Sequence, residues 1–171
     1  MADTMQAVTD VLARVPDAAK DARLTLTGAL TGTALNPVQR AGVAMAAAMT
    51  AGATDLAQAF AAQLSPEDQA GVQTAVALMG MTNVWYTYVD FAADEQLSTI
   101  PPQLRMVSYA KHGGVGKADF ELYALSASLV GKCRPCISAH VRELRALSVG
   151  TDALRDVGRI AASVNAVSKF L

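Results

Sequence analysis

The stretch FELYALSASLVGKCRPCISAH, residues 120–140, decides how this chain folds, because it joins two helical patterns across a break at Gly131. The run before the break predicts a helix that Gly131 ends. Cys133 lies at or just before the start of the next helix, and Pro135 fits its first turn because the missing N–H would have no partner there. The stretch therefore predicts a helical hairpin with both cysteines of the chain near its turn.

The rest of the chain also indicates helices separated by short turns. The composition is 52% hydrophobic, 17% charged and 5% aromatic, and alanine is abundant. Because alanine is the best helix former and packs closely, this composition favours tightly packed helices. Asn36 before Pro37 and Ser65 in SPED are helix start signals. Residues 24–36 fit either a loop or a short helix, and residues 111–119 are expected to form a flexible glycine loop. We predict an all-α fold.

The length of 171 residues predicts one domain, spanning 1–171. Residues 44–64 share a shape with residues 123–144: each is a small-residue helix, a break near a glycine and a second amphipathic helix. This similarity indicates a degenerate internal repeat. The first half would cover about 1–95, and the second half, which holds the cysteines, about 96–171.

Charge and hydropathy exclude several classes of function. The formal net charge is −1 and no basic patch stands out, so we expect no nucleic-acid partner. Acidic residues near the start argue against a secretory signal. The most apolar stretch, residues 41–62, is broken by Gly52 and Asp55, which predicts a buried helix and not a membrane span. We expect a cytoplasmic protein, in which a passive structural disulfide is unusual.

The cysteine pair has the spacing of a reaction centre. Cys133, Cys136 and His140 fall on one face of a helix. The positive end of a helix favours thiolate over thiol, and this argument favours Cys133 as the attacking sulfur. His140 lies one turn from Cys136 and could exchange a proton with it, which favours Cys136. The residues alone leave this choice open.

A carboxylate that could orient His140 comes from the preceding helix. Glu121 lies ten residues before Gly131, and His140 lies nine residues after it. In an antiparallel hairpin the two side chains would therefore sit level, and a carboxylate on one ring nitrogen fixes the histidine tautomer. The alternative is that Glu121 is an ordinary solvated acid in the first turn of its helix.

Zinc binding is a further alternative for the cysteine pair. A structural zinc site needs four ligands. The chain offers Cys133, Cys136, His140 and at best His112 or a carboxylate, and no second CxxC supports the site. We therefore expect neither a metal nor a cofactor.

Taken together, these residues resemble a known family. The Glu, a twelve-residue step to a CxxC, and a His four residues after the second Cys are the signature of the AhpD-type alkylhydroperoxidases, within the carboxymuconolactone decarboxylase-like superfamily. Glu121, Cys133, Cys136 and His140 match it in type and spacing. The segments 79–86 and 104–122 are also similar to family segments. The resemblance is strong over 79–145 and weak before about residue 40.

The resemblance implies an all-helical fold of two related halves that assembles as a homotrimer. It implies an alkyl hydroperoxide reductase that reduces organic hydroperoxides and regenerates the peroxiredoxin AhpC, with electrons from a dihydrolipoamide-bearing donor. In this reading Cys136 is the peroxidatic cysteine, Cys133 resolves it as a disulfide, and Glu121 with His140 relays protons.

One position departs from the family pattern. Where family members carry a His immediately before the second cysteine, this chain has Pro135, preceded by Arg134. Arg134 could stabilise a thiolate but cannot shuttle protons. Two other readings therefore stay open: a disulfide-exchange adaptor or reductase with incidental peroxidase activity, and a non-redox member of the superfamily. Retention of the CxxC with Glu121 and His140 argues against the second.

Overall fold

The computed structural model describes residues 2–171, with side chains from Met5 onward, and every regular element in that range is helical, as the sequence predicted. The α-helices are α1 (Ala2–Leu12), α2 (Lys20–Leu30), α3 (Pro37–Ala51), α4 (Thr54–Ala61), α5 (Pro66–Ala92), α6 (Glu95–Thr99), α7 (Lys117–Val130), α8 (Arg134–Ala146) and α9 (Thr151–Val167). Short 3₁₀ helices cover Asp17–Ala19, Val107–Gly114 and Ser168–Phe170.

The predicted helix starts are confirmed by their hydrogen bonds. Asn36 and Gln39 form a reciprocal capping box at α3, with distances of 2.9 and 3.0 Å. Ser65 caps α5 by accepting from the N–H of Asp68 at 3.1 Å. The stretch 24–36, which the sequence left undecided, is helical as far as Leu30 and then turns.

The expectation of a flexible glycine loop over 111–119 was wrong. Residues 111–114 belong to the 3₁₀ helix Val107–Gly114, which lies against α5, and residues 117–119 already form the first turn of α7. A Cβ on Gly113 would lie 2.7 Å from the Cα of Gly71. Glycine is therefore needed here because two backbones touch, and not because the segment must be mobile.

The centre of the molecule is formed by α3 and α7, which pack against each other and against both α5 and α9. Residues 41–48 of α3 and 120–128 of α7 are buried without interruption, as expected for helices that are covered on all sides. Ser126 donates its hydroxyl hydrogen to the carbonyl of Val43 at 2.7 Å. The apolar stretch 41–62 is thus buried through most of α3, as predicted, and along the inner face of α4, where Leu56 and Phe60 lie in the core. No helix in the described range has both the length and the apolar character that crossing a membrane requires.

Two hairpins of this fold, α3–α4 and α7–α8, turn in the same way. Each turn contains one residue in the left-handed region, Gly52 with φ 79° and Lys132 with φ 55°. The residues that follow, Ala53 and Cys133, have φ/ψ of −86°/80° and −87°/98°. Their N–H groups bond back to the helix just left, at 2.9 and 3.2 Å. The turn that carries the first cysteine therefore has a counterpart that carries an alanine.

Because α3 and α7 approach each other closely at Gly42, a larger side chain there should destabilise the fold. A Cβ there would lie 2.2 Å from Cε1 of Tyr123, so we expect Gly42→Ala to lower the free energy of unfolding by about 1–3 kcal/mol through overpacking. Denaturant titration followed by circular dichroism, at fixed protein concentration, measures the change.

The matched control is Gly158→Ala in α9, where a Cβ would meet no atom within 4 Å. This variant should gain about 0.5–1 kcal/mol, because alanine favours the helix. If the two variants shifted stability alike, the contact between Gly42 and Tyr123 would not limit the packing.

Candidate active site

The turn between α7 and α8 positions the two cysteines. Cys133 is the N-cap of α8, and its Sγ accepts from the N–H of Cys136 at 3.4 Å. Pro135 occupies the first turn, as the sequence predicted. Cys133 and Cys136 are joined by a disulfide, with their Cα atoms 5.3 Å apart.

The two sulfurs differ in their surroundings. Cys133 has no exposed surface, whereas Cys136 is 6% exposed and lines a cavity of about 320 Å³. The Sγ of Cys136 also lies 3.7 Å from the carbonyl oxygen of Thr82. A molecule in the cavity therefore reaches Cys136 and not Cys133.

Glu121 and His140 meet across the hairpin. Oε2 of Glu121 lies 2.7 Å from Nδ1 of His140, and both side chains are buried. Glu121 comes from α7 and His140 from α8, and the structure brings them level. Glu121 has no exposed surface, so the structure does not support the alternative of an ordinary solvated acid.

A tyrosine that sequence reasoning missed completes this group. Tyr109, in the 3₁₀ helix, donates its hydroxyl hydrogen to Oε1 of Glu121 at 2.5 Å. Its ring packs edge-on against Phe120 and His112. Burial, and then the hydrogen bond and charge of Glu121, raise the pKa of Tyr109 well above its usual range, so the phenol stays protonated. The 3₁₀ segment has no α-helical periodicity, so spacing could not have placed this side chain.

Both oxygens of Glu121 are therefore hydrogen-bonded. Burial alone would raise the pKa of Glu121, but the hydrogen bonds to His140 and Tyr109, with the charge of His140, lower it below its ordinary value. Glu121 is thus a carboxylate at neutral pH. Because a carboxylate has no hydrogen to donate, Nδ1 of His140 carries the hydrogen that they share.

One face of α5 also lines the site. Met79, Thr82 and Tyr86 line the cavity at helical spacing. Nε2 of His140 lies 3.1 Å from Sδ of Met79, and among the hydrogen bonds of the described residues none joins His140 to Cys136. In this disulfide state His140 therefore faces a thioether and not a cysteine sulfur, which spacing along α8 could not reveal.

Asn83, on the same helix, holds the hairpin from outside the cavity. Its Nδ2 donates to the carbonyl of Ala127 at 3.3 Å, and its Oδ1 accepts from the hydroxyl of Ser128 at 3.1 Å. A Cβ on Gly131 would lie 2.4 Å from Nδ2 of Asn83. The end of α7, and with it the cysteine turn, is therefore tied to α5.

The cavity is mainly apolar. Besides the α5 face and α8, it is lined by the chain just before the 3₁₀ helix. The residues contributed by that segment are Pro102, Leu104 and Met106. Such a lining suits a substrate with a hydrocarbon part better than a small hydrophilic one.

The charge of Arg134 is paired with a carboxylate of α5. Its guanidinium is bonded to the carboxylate of Asp90 near the end of α5, and its side chain is 81% exposed. The hydrogen bond and charge of Asp90 raise the pKa of Arg134. Among the residues the structure describes, no three His, Cys, Asp or Glu side chains converge to hold a metal ion.

Comparison with known proteins places this site in a family. The sequence profile of the Carboxymuconolactone decarboxylase family matches residues 98–171. The chain is 42% identical over 163 residues to "Alkyl hydroperoxide reductase AhpD" of Rhodospirillum centenum, covering 93% of this chain and 87% of the relative. It is 36% identical over 159 residues to the protein of the same name from Rhodopseudomonas palustris, covering 91% and 87% of the two chains.

A third relative named "Alkyl hydroperoxide reductase AhpD", from Brucella canis, is 32% identical over 165 residues, with 94% of each chain covered. The chain therefore belongs to the AhpD family, within the wider carboxymuconolactone decarboxylase family. The resemblance seen in residues 79–145 is confirmed.

Loss of the Tyr109 hydroxyl should change the pKa of Glu121. Because its hydrogen bond lowers the pKa of Glu121, Tyr109→Phe should raise that pKa toward the ordinary value. A pH titration of ¹³C-labelled glutamate carboxyl signals measures it.

Tyr123→Phe is the matched control. Tyr123 lies on α7, the same helix as Glu121, but its buried hydroxyl has no hydrogen-bond partner in the described structure. It should leave the Glu121 titration unchanged. The same shift in both variants would mean that packing, and not the hydrogen bond, sets the pKa of Glu121.

Proposed function

We propose that this chain reduces organic hydroperoxides by a dithiol–disulfide cycle of Cys133 and Cys136, with Glu121 and His140 moving protons. The observation that carries the proposal is the position of the disulfide. Cys136 faces an apolar cavity that His140 also lines, and His140 is bonded to a buried carboxylate. The names of the AhpD relatives support the same reaction.

The first half of the cycle begins with the reduced pair. The N-terminal end of α8 favours the thiolate form of Cys136. His140, held through Nδ1 by Glu121, takes the thiol proton. The thiolate attacks the terminal oxygen of the hydroperoxide, the O–O bond breaks, and the alkoxide leaves as an alcohol with the proton from His140. Cys136 is then a sulfenic acid.

The second half closes the disulfide that the structure contains. The thiol of Cys133 attacks the sulfenic sulfur, and the oxygen leaves as water with one proton from each group. Cys133, as N-cap of α8, is buried beside Cys136 and shielded from the cavity. This arrangement suits a resolving cysteine, because peroxide cannot reach it first. An external dithiol then reduces the disulfide.

The electron donor and the partner are further parts of the proposal. We propose a dihydrolipoamide-bearing reductant and regeneration of the peroxiredoxin AhpC, both as implied by membership of the family. A disulfide-exchange adaptor is the second candidate. The observation that favours it is Arg134, which is 81% exposed one residue from the helix cap and could contact a partner protein. Peroxide consumption that requires AhpC would indicate the adaptor.

We also propose one domain over 1–171, built of related halves at about 1–95 and 96–171. The shared turn of the two hairpins supports it. A shift of 80 residues that superposes Cys133 on Ala53 also superposes Cys136 on Leu56 and His140 on Phe60, so the first hairpin would keep the scaffold without the chemistry.

We propose assembly as a homotrimer from the family resemblance, and a location in the cytoplasm from the acidic start of the sequence and the broken apolar stretch 41–62. Exposed apolar side chains on α5, namely Val84, Tyr88 and Phe91, support self-association. Light scattering on the purified chain would test the trimer.

Turnover of cumene hydroperoxide with dihydrolipoamide tests the function. We expect Cys136→Ser to reduce turnover to background, because the attacking sulfur is gone. In a separate reaction without dihydrolipoamide, Cys133→Ser should consume one equivalent of peroxide and then stop, because no thiol is present to resolve the sulfenic acid. Trapping with dimedone followed by mass spectrometry detects the sulfenic acid and identifies the cysteine that carries it.

The two substitutions are matched, since each replaces one sulfur by oxygen in the same turn. A sulfenic acid on Cys133 in the Cys136→Ser variant would reverse the proposed roles. If the wild type fails to consume hydroperoxide, yet rapidly reduces the disulfide of AhpC, the chain is a disulfide-exchange adaptor and not a peroxidase.

A further inference from the structure

A second oxidisable sulfur lies in the cavity beside Cys136. Met79 is only 3% exposed, yet its side chain lines the cavity. Its Sδ lies 3.1 Å from Nε2 of His140 and 3.5 Å from Oγ1 of Thr82. A hydroperoxide that enters this cavity therefore meets both a cysteine sulfur and a thioether.

The contacts of His140 bring its Nε2 beside that thioether. Nδ1 donates to the Glu121 carboxylate, as argued above. A thioether sulfur is a weak acceptor and donates nothing. The approach of Nε2 to Sδ of Met79 is therefore attractive when Nε2 also carries a hydrogen.

We propose that Met79 is a second peroxide-reacting sulfur, which becomes methionine sulfoxide when hydroperoxide enters the cavity while Cys136 is held in the disulfide. This inference rests on the proposed function, which supplies the hydroperoxide. In the disulfide state Cys136 has no thiolate, so the thioether is the remaining nucleophilic sulfur beside His140.

The step balances without another reactant. The Met79 sulfur attacks the terminal oxygen of the hydroperoxide, and the O–O bond breaks. The alkoxide takes the proton from Nε2 of His140 and leaves as an alcohol. The hydroxysulfonium formed on Met79 returns its proton to Nε2 and becomes the sulfoxide. Sulfur gives up two electrons, and the peroxide is reduced by two.

The product changes the site that formed it. A sulfoxide oxygen is polar and accepts hydrogen bonds strongly, so it would hold the Nε2 hydrogen of His140 and occupy part of the cavity. The dithiol cycle would then stop until the sulfoxide is reduced, which methionine sulfoxide reductases can do. Oxidation of Met79 would thus inactivate the protein when hydroperoxide outlasts the electron donor.

The test compares four methionines in one full-length protein. The disulfide form is exposed to cumene hydroperoxide without reductant, and peptide mass spectrometry follows the addition of one oxygen at each position. If oxidation followed exposure, Met5 at 43% and Met81 at 38% would react before Met79 at 3%. We expect Met79 to react first, ahead of Met106, which lines the same cavity but makes no hydrogen bond with His140 in the described structure.

The control is the same reaction in denaturant, where the four rates should converge because the site is gone. Oxidation of Met81 and Met5 in the folded protein with Met79 unchanged would overturn the inference.

The effect on turnover is measured with Met79→Leu, each protein being compared with its own untreated rate. After hydroperoxide treatment and addition of reductant, wild type should lose activity in proportion to its Met79 sulfoxide. Met79→Leu should recover its own rate in full. An equal loss in both proteins would overturn the inactivation.

A parallel reaction that starts from the reduced protein, digested and analysed in the same way, separates this inference from the proposed function. If hydroperoxide does not convert the reduced dithiol to the Cys133–Cys136 disulfide, the proposed function fails and the Met79 inference fails with it. If the disulfide forms and Met79 stays unmodified, only the Met79 inference fails.

Discussion

A carboxylate buried in a helical core is the constraint on which the rest of this structure depends. An isolated charge in such a place would cost several kcal/mol, so it must be paired and hydrogen-bonded. Glu121 has no exposed surface, and His140 and Tyr109 occupy its two oxygens. These three residues come from α7, α8 and the 3₁₀ helix, so satisfying one carboxylate requires three elements to converge. The site is therefore part of the reason the elements pack as they do.

The cysteines depend on a second set of contacts, made by α5. Asn83 binds the last turn of α7 through Ala127 and Ser128, and so sets where the turn before α8 lies. The same helix presents Met79 and Thr82 to the cavity. One helix thus both supports the turn that carries the disulfide and places Met79 and Thr82 in the cavity, in contact with His140 and Cys136.

The unequal surroundings of the two sulfurs follow from helix geometry. An N-cap residue lies where the chain enters the helix, and here that position is covered, so Cys133 is shielded. Cys136 lies three residues later and faces the cavity. The helix-start argument, which favoured Cys133, considered charge alone. Access, which only the packing decides, favours Cys136. Arg134, which could have stabilised a thiolate, is instead bonded to Asp90.

The amino-acid sequence by itself determined the features that local rules control. These are the helical class, the capping box at Asn36, the cap at Ser65, the break near Gly131 and the count that places Glu121 level with His140. Each follows from hydrogen bonds or periodicity within a few turns of chain. Only the tertiary structure decided that Tyr109 reaches Glu121, that His140 faces Met79 in the disulfide state, and that Gly113 touches Gly71. Those contacts join segments with no common period, so their geometry is set by how the helices pack and cannot be read from spacing along the chain.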